Sequence, residues 1–293
     1  MKTYNFAGVH RVILSTVRRV ILQNIPTFAF PRENIKVHKL KSDFLDADLV
    51  QLRISTLPIP LAPTLTQFDS FIKHEKNPQT TPLTMVCKVE NKSSDIRHVT
   101  TNDCTFSRIF ASDALTSDAS DSNAIHIIYT KPILLCSLKK DESIHFTATS
   151  TLNTPIKSVI FTACSKCFFT DNGKFMISPR QGHESLNLLL SAIRIIKYKL
   201  DNFFNYVVCN LSGKLIFPND RYTMPLLIVH YMQLHKNIKY AGAKCEHLLE
   251  SKGTIVYTLI DPTITIKQAL KDVIENILQD INKFENLIVS TSS

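Results

Sequence analysis

The sequence predicts an α+β chain in which one set of strands and helices occurs twice, the second time in shortened form, with a β-rich module inserted into the first. Three observations lead there. The chain has 293 residues with 44% hydrophobic content, enough for about two ordinary cores. Helical apolar periodicity is strong at residues 8–24, 184–204 and 265–288. Between the first two of these helices the pattern changes to short alternating runs, broken by Pro58, Pro60, Pro63, Pro78 and Pro82.

The first helix is read from Val9, Val12, Ile13, Val17, Val20 and Ile21, which recur at three- and four-residue steps, while Arg11, Arg18 and Arg19 fall elsewhere on the wheel. Ile25-Pro26 ends it, because the residue before proline avoids the helical region. Residues 27–30 and 34–40 read as extended, with Ile35, Val37 and Leu40 facing inward, and residues 42–54 as a second helix. The inserted module, residues 58–150, holds β-like runs at 84–89, 125–130 and 133–138 and a Ser/Asp-rich loop at 112–123. Residues 155–170 read as strand through Val159, Ile160 and Phe161.

The helix at 184–204 aligns Leu186, Leu189, Leu190, Ile193, Ile196, Leu200 and Phe203 on one face. After it the order repeats: strand 206–216, a turn at Pro218-Asn219-Asp220, helix 225–235, strands 238–243 and 254–260, and a closing helix at 265–288. In that last helix Ile266, Leu270, Val273, Ile277, Ile281, Phe284 and Ile288 keep a near seven-residue rhythm suited to helix-on-helix packing. The expected domains are residues 1–57 with 151–205, the insert 58–150, and 206–293. Two packings satisfy this pattern. Either the seams pair within the chain through Val17, Ile21, Leu189, Ile193, Leu200, Val273, Ile277 and Ile281, or each half buries its own helix independently.

Composition narrows the function. There is no uninterrupted apolar run of membrane-spanning length, and residues 1–10 lack the regions of a secretory signal, so neither a membrane nor secretion is expected. Seven cysteines suggest free thiols in a reducing compartment. Of the formal charge of +9, nearly all lies early: residues 1–205 hold 25 Lys+Arg and 17 Asp+Glu, against 9 and 8 in residues 206–293. A stand-alone basic nucleic-acid-binding protein is thus the alternative function. It has only the charge behind it, since no helix-turn-helix, zinc-finger or base-stacking motif accompanies the excess. Hydrolase or transferase chemistry has residue counts alone: no Gly-X-Ser-X-Gly elbow, Gly-rich phosphate loop or His-Glu-X-X-His occurs among only 6 glycines. No catalytic residue and no cofactor is expected. Cys164 and Cys167 have zinc spacing but form only one pair, on a strand that would turn them to opposite faces, so metal is not expected either.

Several stretches are recognisable. Arg18-Arg19 followed by Ile25-Pro26-Thr27 resembles the first helix of the alpha-type RNA polymerase subunits, and Leu52-Arg53 with Leu57-Pro58-Ile59 is similar to the family's next segment. Ile133-Leu134-Leu135-Cys136-Ser137-Leu138-Lys139-Lys140-Asp141-Glu142 resembles the inserted module of the eukaryotic third-subunit type, with Asp141 in place of glycine. The C-terminal part resembles the small eleventh-subunit type through Tyr240-Ala241-Gly242, Lys244 and His247-Leu248-Leu249-Glu250. Pro225 in place of asparagine and the missing proline after His247 are departures. The resemblance covers roughly residues 8–290 in order and looks like a fusion of two subunits, as in large cytoplasmic DNA viruses.

The resemblance implies an alpha-like dimerisation fold present twice as an intramolecular pseudo-dimer. It further implies a non-catalytic assembly platform subunit of a DNA-directed RNA polymerase. Arg18, Arg19, Ile25 and Pro26 would then dock the two largest subunits, with small zinc-bearing subunits as further partners. Gly242 and His247 would be structural turn residues, and DNA and RNA would be met only through the complex. The location implied is the cytoplasm of an infected cell and the virion if the chain is viral, the nucleus if it is cellular.

Overall fold

A computed structural model describes residues 1–73, 82–108, 127, 129–206, 208–210, 213–217, 220–245, 247, 250, 252–260 and 265–290. The protein mixes α and β with several sheets and divides into two compact units. One comprises Met1–Ile25, Cys164–Pro179 and Glu184–Ser293, the other Pro26–Ala163 and Arg180–His183.

The chain begins in the first unit with strand β1 (Lys2–Asn5) and helix α1 (Arg11–Gln23). His10 caps α1, its Nδ1 accepting the Val12 amide at 3.3 Å. The chain then builds the second unit up to Ala163, to which Arg180–His183 are added later. Its elements are β2 (Thr27–Ala29), β3 (Ile35–Lys41), α2 (Ala47–Ser55), α3 (Leu65–Ile72), β4 (Leu83–Glu90), β5 (Arg97–Thr100), β6 (Cys104–Arg108), β7 (Leu134–Leu138), β8 (Ser143–Thr149) and β9 (Thr151–Asn153).

Antiparallel pairing gives a four-stranded sheet ordered β3-β8-β4-β6 and two-stranded pairs β2-β9 and β5-β7. On β4 the alternation of Leu83, Met85, Cys87 and Val89 inward with Lys88 and Glu90 outward fixes one buried face. That face joins Phe106, Ile144, Phe146, Ala148, Val99 and Leu138 in a single core, with Val50 and Ile54 of α2 closing it. Buried Glu142 pins the entry to α2, accepting from the Lys139 amide at 2.7 Å, the Ser42 hydroxyl at 2.7 Å and the Asp43 amide at 3.1 Å. These donors, the Lys139 amide foremost, hold its carboxyl below the usual range.

Back in the first unit the chain forms β10 (Cys164–Phe169), β11 (Lys174–Pro179), α4 (Ser185–Asp201), α5 (Phe203–Tyr206), β12 (Val208–Asn210), β13 (Lys214–Phe217), α6 (Thr223–Gln233), β14 (Ile238–Lys244), β15 (Gly253–Leu259) and α7 (Ile266–Ser290). Two sheets result, ordered β1-β11-β10 and β12-β13-β15-β14. Their connectivity is the same. A strand (β1 or β13) leads to a helix (α1 or α6), then a hairpin (β10-β11 or β14-β15), then a long helix (α4 or α7). In each case the first strand pairs antiparallel with the second strand of the hairpin. In the first copy Pro26–Ala163 of the second unit lie between helix and hairpin, and Arg180–His183 return to that unit after the hairpin; in the second copy only residues 234–237 lie between helix and hairpin. Gly173 serves the β10-β11 turn at φ 75°, where a Cβ would lie 3.0 Å from the backbone of Phe6 and Ala7.

Several sequence expectations are corrected. The compact units divide after Ile25 and after Ala163, and not at 57 and 150, because β2 pairs with β9 and β3 with β8, drawing residues 26–57 and 151–163 into the β-rich unit. Val159–Phe161 is a turn of 3-10 helix rather than strand; the strand starts at Cys164. The expected strand 206–216 is two strands, β12 and β13, and the helix expected at 42–54 starts at Ala47, capped by Asp46. Strands β1, β5, β6, β8, β9 and β11 and helix α3 were not anticipated as separate elements. The Ser/Asp-rich loop 112–123, half of the run 125–130, and Pro218-Asn219 lie outside the described residues.

Candidate functional site

The first unit is held together by a layer of four helices. α1 packs on α4, α6 and β10; α4 packs on α7 and β11; and α6 packs on α7, β14 and β15. The buried positions of the two copies correspond along both helix pairs. Ile13, Leu14, Thr16, Val17, Val20 and Ile21 of α1 match Met224, Pro225, Leu227, Ile228, Tyr231 and Met232 of α6. Leu188, Leu189, Ala192, Ile193, Ile196, Leu200 and Phe203 match Ala269, Leu270, Val273, Ile274, Ile277, Ile281 and Phe284. α1 therefore meets α6, and α4 meets α7.

Directional contacts reinforce this layer. Lys197 of α4 pairs with Glu285 of α7, and Lys199 lies 3.4 Å from Asp220, which also accepts the Thr223 amide at 2.9 Å at the start of α6. Phe6 meets Phe284 edge-on at 4.8 Å, and the His10 and His230 rings stack at 4.2 Å. Burial and the neighbouring His10 keep His230 below its ordinary pKa. Tyr231 donates to Asp280 at 2.9 Å between α6 and α7.

All eight residues expected to pair, Val17, Ile21, Leu189, Ile193, Leu200, Val273, Ile277 and Ile281, are at most 1% exposed. The sequence reading missed α6 as a member of this layer and β1 as the strand that matches β13. The spacing of Leu227, Ile228, Tyr231 and Met232 carried the first signal. Alternation over only four residues was too short to give the second.

Arg18 and Arg19 are half-exposed on α1, a helix without acidic residues, and neither has a hydrogen bond or ion pair among the described residues. Ile25, at 3% exposure, and Pro26 are buried, so the expected docking set retains the two arginines as its accessible members. Both follow the Asn24 cap that closes α1. Gly242 lies on β14 opposite Val256 beneath Tyr240, whose hydroxyl is 2.5 Å from where a Cβ would stand. A side chain there would have to displace the exposed Tyr240 ring, and the backbone of Gly242 is not left-handed. The His247 carbonyl accepts the Glu250 amide at 3.2 Å, and His247 is exposed.

A β-bulge at residues 164–166 shifts the alternation of β10, so Cys164 and Cys167 both point inward and not to opposite faces as expected. The hydrogen bond between the two thiols, with burial, pushes Cys167 well above the ordinary range. Among the described residues no cluster of three or more His, Cys, Asp or Glu could hold a metal, and no helix is long and apolar enough to cross a membrane. A shallow pocket in the second unit is lined by Thr27, Ile59, Arg180 and His183. There Arg180 donates to the carbonyls of Thr56, Ile160 and Thr162 at 3.2–3.4 Å, and burial with the adjacent guanidinium lowers His183 to about 4. The guanidinium thereby fastens two loop segments.

No family model matches the chain. It is similar to a protein of Acanthamoeba polyphaga mimivirus that is named, by inference, a DNA-directed RNA polymerase subunit. The two are 21% identical over 297 aligned positions, covering 87% of this chain and 80% of the relative.

Proposed function

We propose that the protein is a non-catalytic assembly subunit of a viral multisubunit DNA-directed RNA polymerase, acting in the cytoplasm of an infected cell. The two copies of its strand–helix–hairpin–helix element would form an alpha-like pseudo-dimer within one chain, a fusion of third- and eleventh-subunit types. The observation that carries this reading is the repeated connectivity of the first unit, with α1 on α6 and α4 on α7. Similarity to the mimiviral protein supports it.

In this reading the β-rich unit is an insertion between the helix and hairpin of the first copy. Arg18 and Arg19 dock a large subunit, because guanidinium forks that have no ion pair among the described residues suit carboxylates or carbonyls of a partner. Small zinc-bearing subunits are further partners, and the chain makes and breaks no bond and carries no cofactor.

Affinity purification of the tagged chain from producing cells tests the proposal. Two chains several times its size, together supporting DNA-templated RNA synthesis, are expected. A chain that purifies alone from cells expressing the whole polymerase would refute it.

A further inference from the structure

The outer face of the four-stranded sheet in the second unit has no place in the proposed assembly role. Its inner face builds the core, and register decides what stands on the other side. Lys36 of β3 is opposite Thr147 of β8, Lys39 is opposite His145, and His145 is in turn opposite Lys88 of β4. Directly opposed residues share a face, so Lys36, Lys39, Lys88, His145 and Thr147 lie on one side of the sheet. The bulge between Val37 and Lys39 adds His38 to that side: its Nε2 is 2.9 Å from the Thr147 hydroxyl, and its ring lies 4.8 Å from that of His145.

Lys36, His38, Lys39 and Lys88 are exposed, and no ion pair engages the three lysines among the described residues. Among the described strands Glu90 also stands on this face, at its end opposite Ser143, which is in turn opposite Lys41 of β3.

We infer that this face binds single-stranded nucleic acid through its phosphate backbone, independently of base sequence. Lysines two to three residues apart on one strand recur every ~7–10 Å. That is two to three times the ~3.4 Å axial phosphate spacing along one strand of a duplex, so ammonium groups so placed reach every second or third phosphate of a strand laid along the sheet. The adjacent imidazoles offer flat π surfaces for bases, and Thr147 a hydroxyl, the donors and platforms that such binding uses. An acidic peptide would be drawn by the lysines but would have no use for the ring pair, so the nucleic acid is the better fit. The contact goes beyond the expectation that DNA and RNA are met only through the complex, and it stands whether or not the assembly role holds.

The test is fluorescence anisotropy of a labelled 20-nucleotide oligothymidylate with the full chain across a salt series. For single strands each phosphate contact adds about 0.7 to the slope of log K against log salt. K36E/K39E/K88E should therefore lower the slope by about 2 and the affinity at 0.1 M salt by about 100-fold. The milder K36Q/K39Q/K88Q, certified folded by circular dichroism, should move both in the same direction. H38A/H145A should weaken oligothymidylate binding but leave that of inorganic polyphosphate unchanged. The control K131E/K140E/K157E makes the same charge change at exposed positions off this face. An equal loss in the control, or an unchanged slope in the Lys→Gln variant, would overturn the inference. Binding of polyglutamate with equal affinity and equal sensitivity to H38A/H145A would assign the face to an acidic protein segment instead and overturn it as well.

Discussion

Replacing Ile277 by aspartate probes whether the two copies share one core. Ile277 is fully buried on α7, which packs on both α4 and α6, and it matches Ile196 in the other copy. Removing the buried side chain forfeits about 1.5–3 kcal/mol, and burying a carboxyl without partners costs at least ~2 kcal/mol more. The sum, ~4 kcal/mol or above, approaches the lower end of the ~5–15 kcal/mol that stabilises an ordinary domain. I277D should therefore unfold the helical unit as a whole. The milder Ile277→Ala, at about 2–4 kcal/mol, should leave it folded but open more often. Hydrogen exchange read by mass spectrometry on peptides covering Arg11–Gln23 and Ser185–Asp201 is the assay. In I277A, exchange of the slowest amides in both peptides should accelerate by about 30- to 1,000-fold, one factor of ten per 1.4 kcal/mol. If only residues 208–290 lose protection, the copies are independent domains and the shared core is refuted.

Further expectations follow from individual side chains. R18E/R19E should leave thermal stability nearly unchanged, within about 0.5 kcal/mol, since neither arginine has a hydrogen bond or ion pair among the described residues, yet should abolish recovery of a large subunit in pull-downs. C164S/C167S should assemble normally and release no stoichiometric zinc when assayed by metal analysis; a zinc lost with the double change would show a site there. E142Q should be less stable than the parent at pH 7, because an amide nitrogen cannot accept from the Lys139 amide. A carboxyl held low in the folded state stabilises above its unfolded pKa, and that stability is lost as pH falls through its folded value. The difference between parent and E142Q in denaturant titrations should therefore shrink below about pH 4.5 and vanish on further acidification.

The parts of this fold legible in sequence are those with long periodicity. α1, α4 and α7 declare their buried faces over 13, 17 and 25 residues, long enough for three- and four-residue steps to repeat. Short strands carry no such signal: β1 has four residues, and its membership in a sheet is decided by β11, more than 160 positions away. The inserted unit was visible as a change of texture, but its limits were set by pairing of β2 with β9 and β3 with β8, which no local pattern encodes. For the same reason Cys164 and Cys167 were assigned to opposite faces, since a bulge is a property of two strands together. Arg18 and Arg19 could be singled out by resemblance, whereas the cation-lined sheet face emerges only when register brings Lys36, Lys39 and Lys88 together.

The central claim is that one chain supplies both halves of an assembly platform, and its most direct measurement is copy number. Native mass spectrometry of the polymerase purified through this chain should give one copy per complex, bound to one copy of each of two large subunits. Two copies of the chain per complex, pairing across molecules through α1, α4, α6 and α7, or a chain bound to no large subunit, would contradict the account.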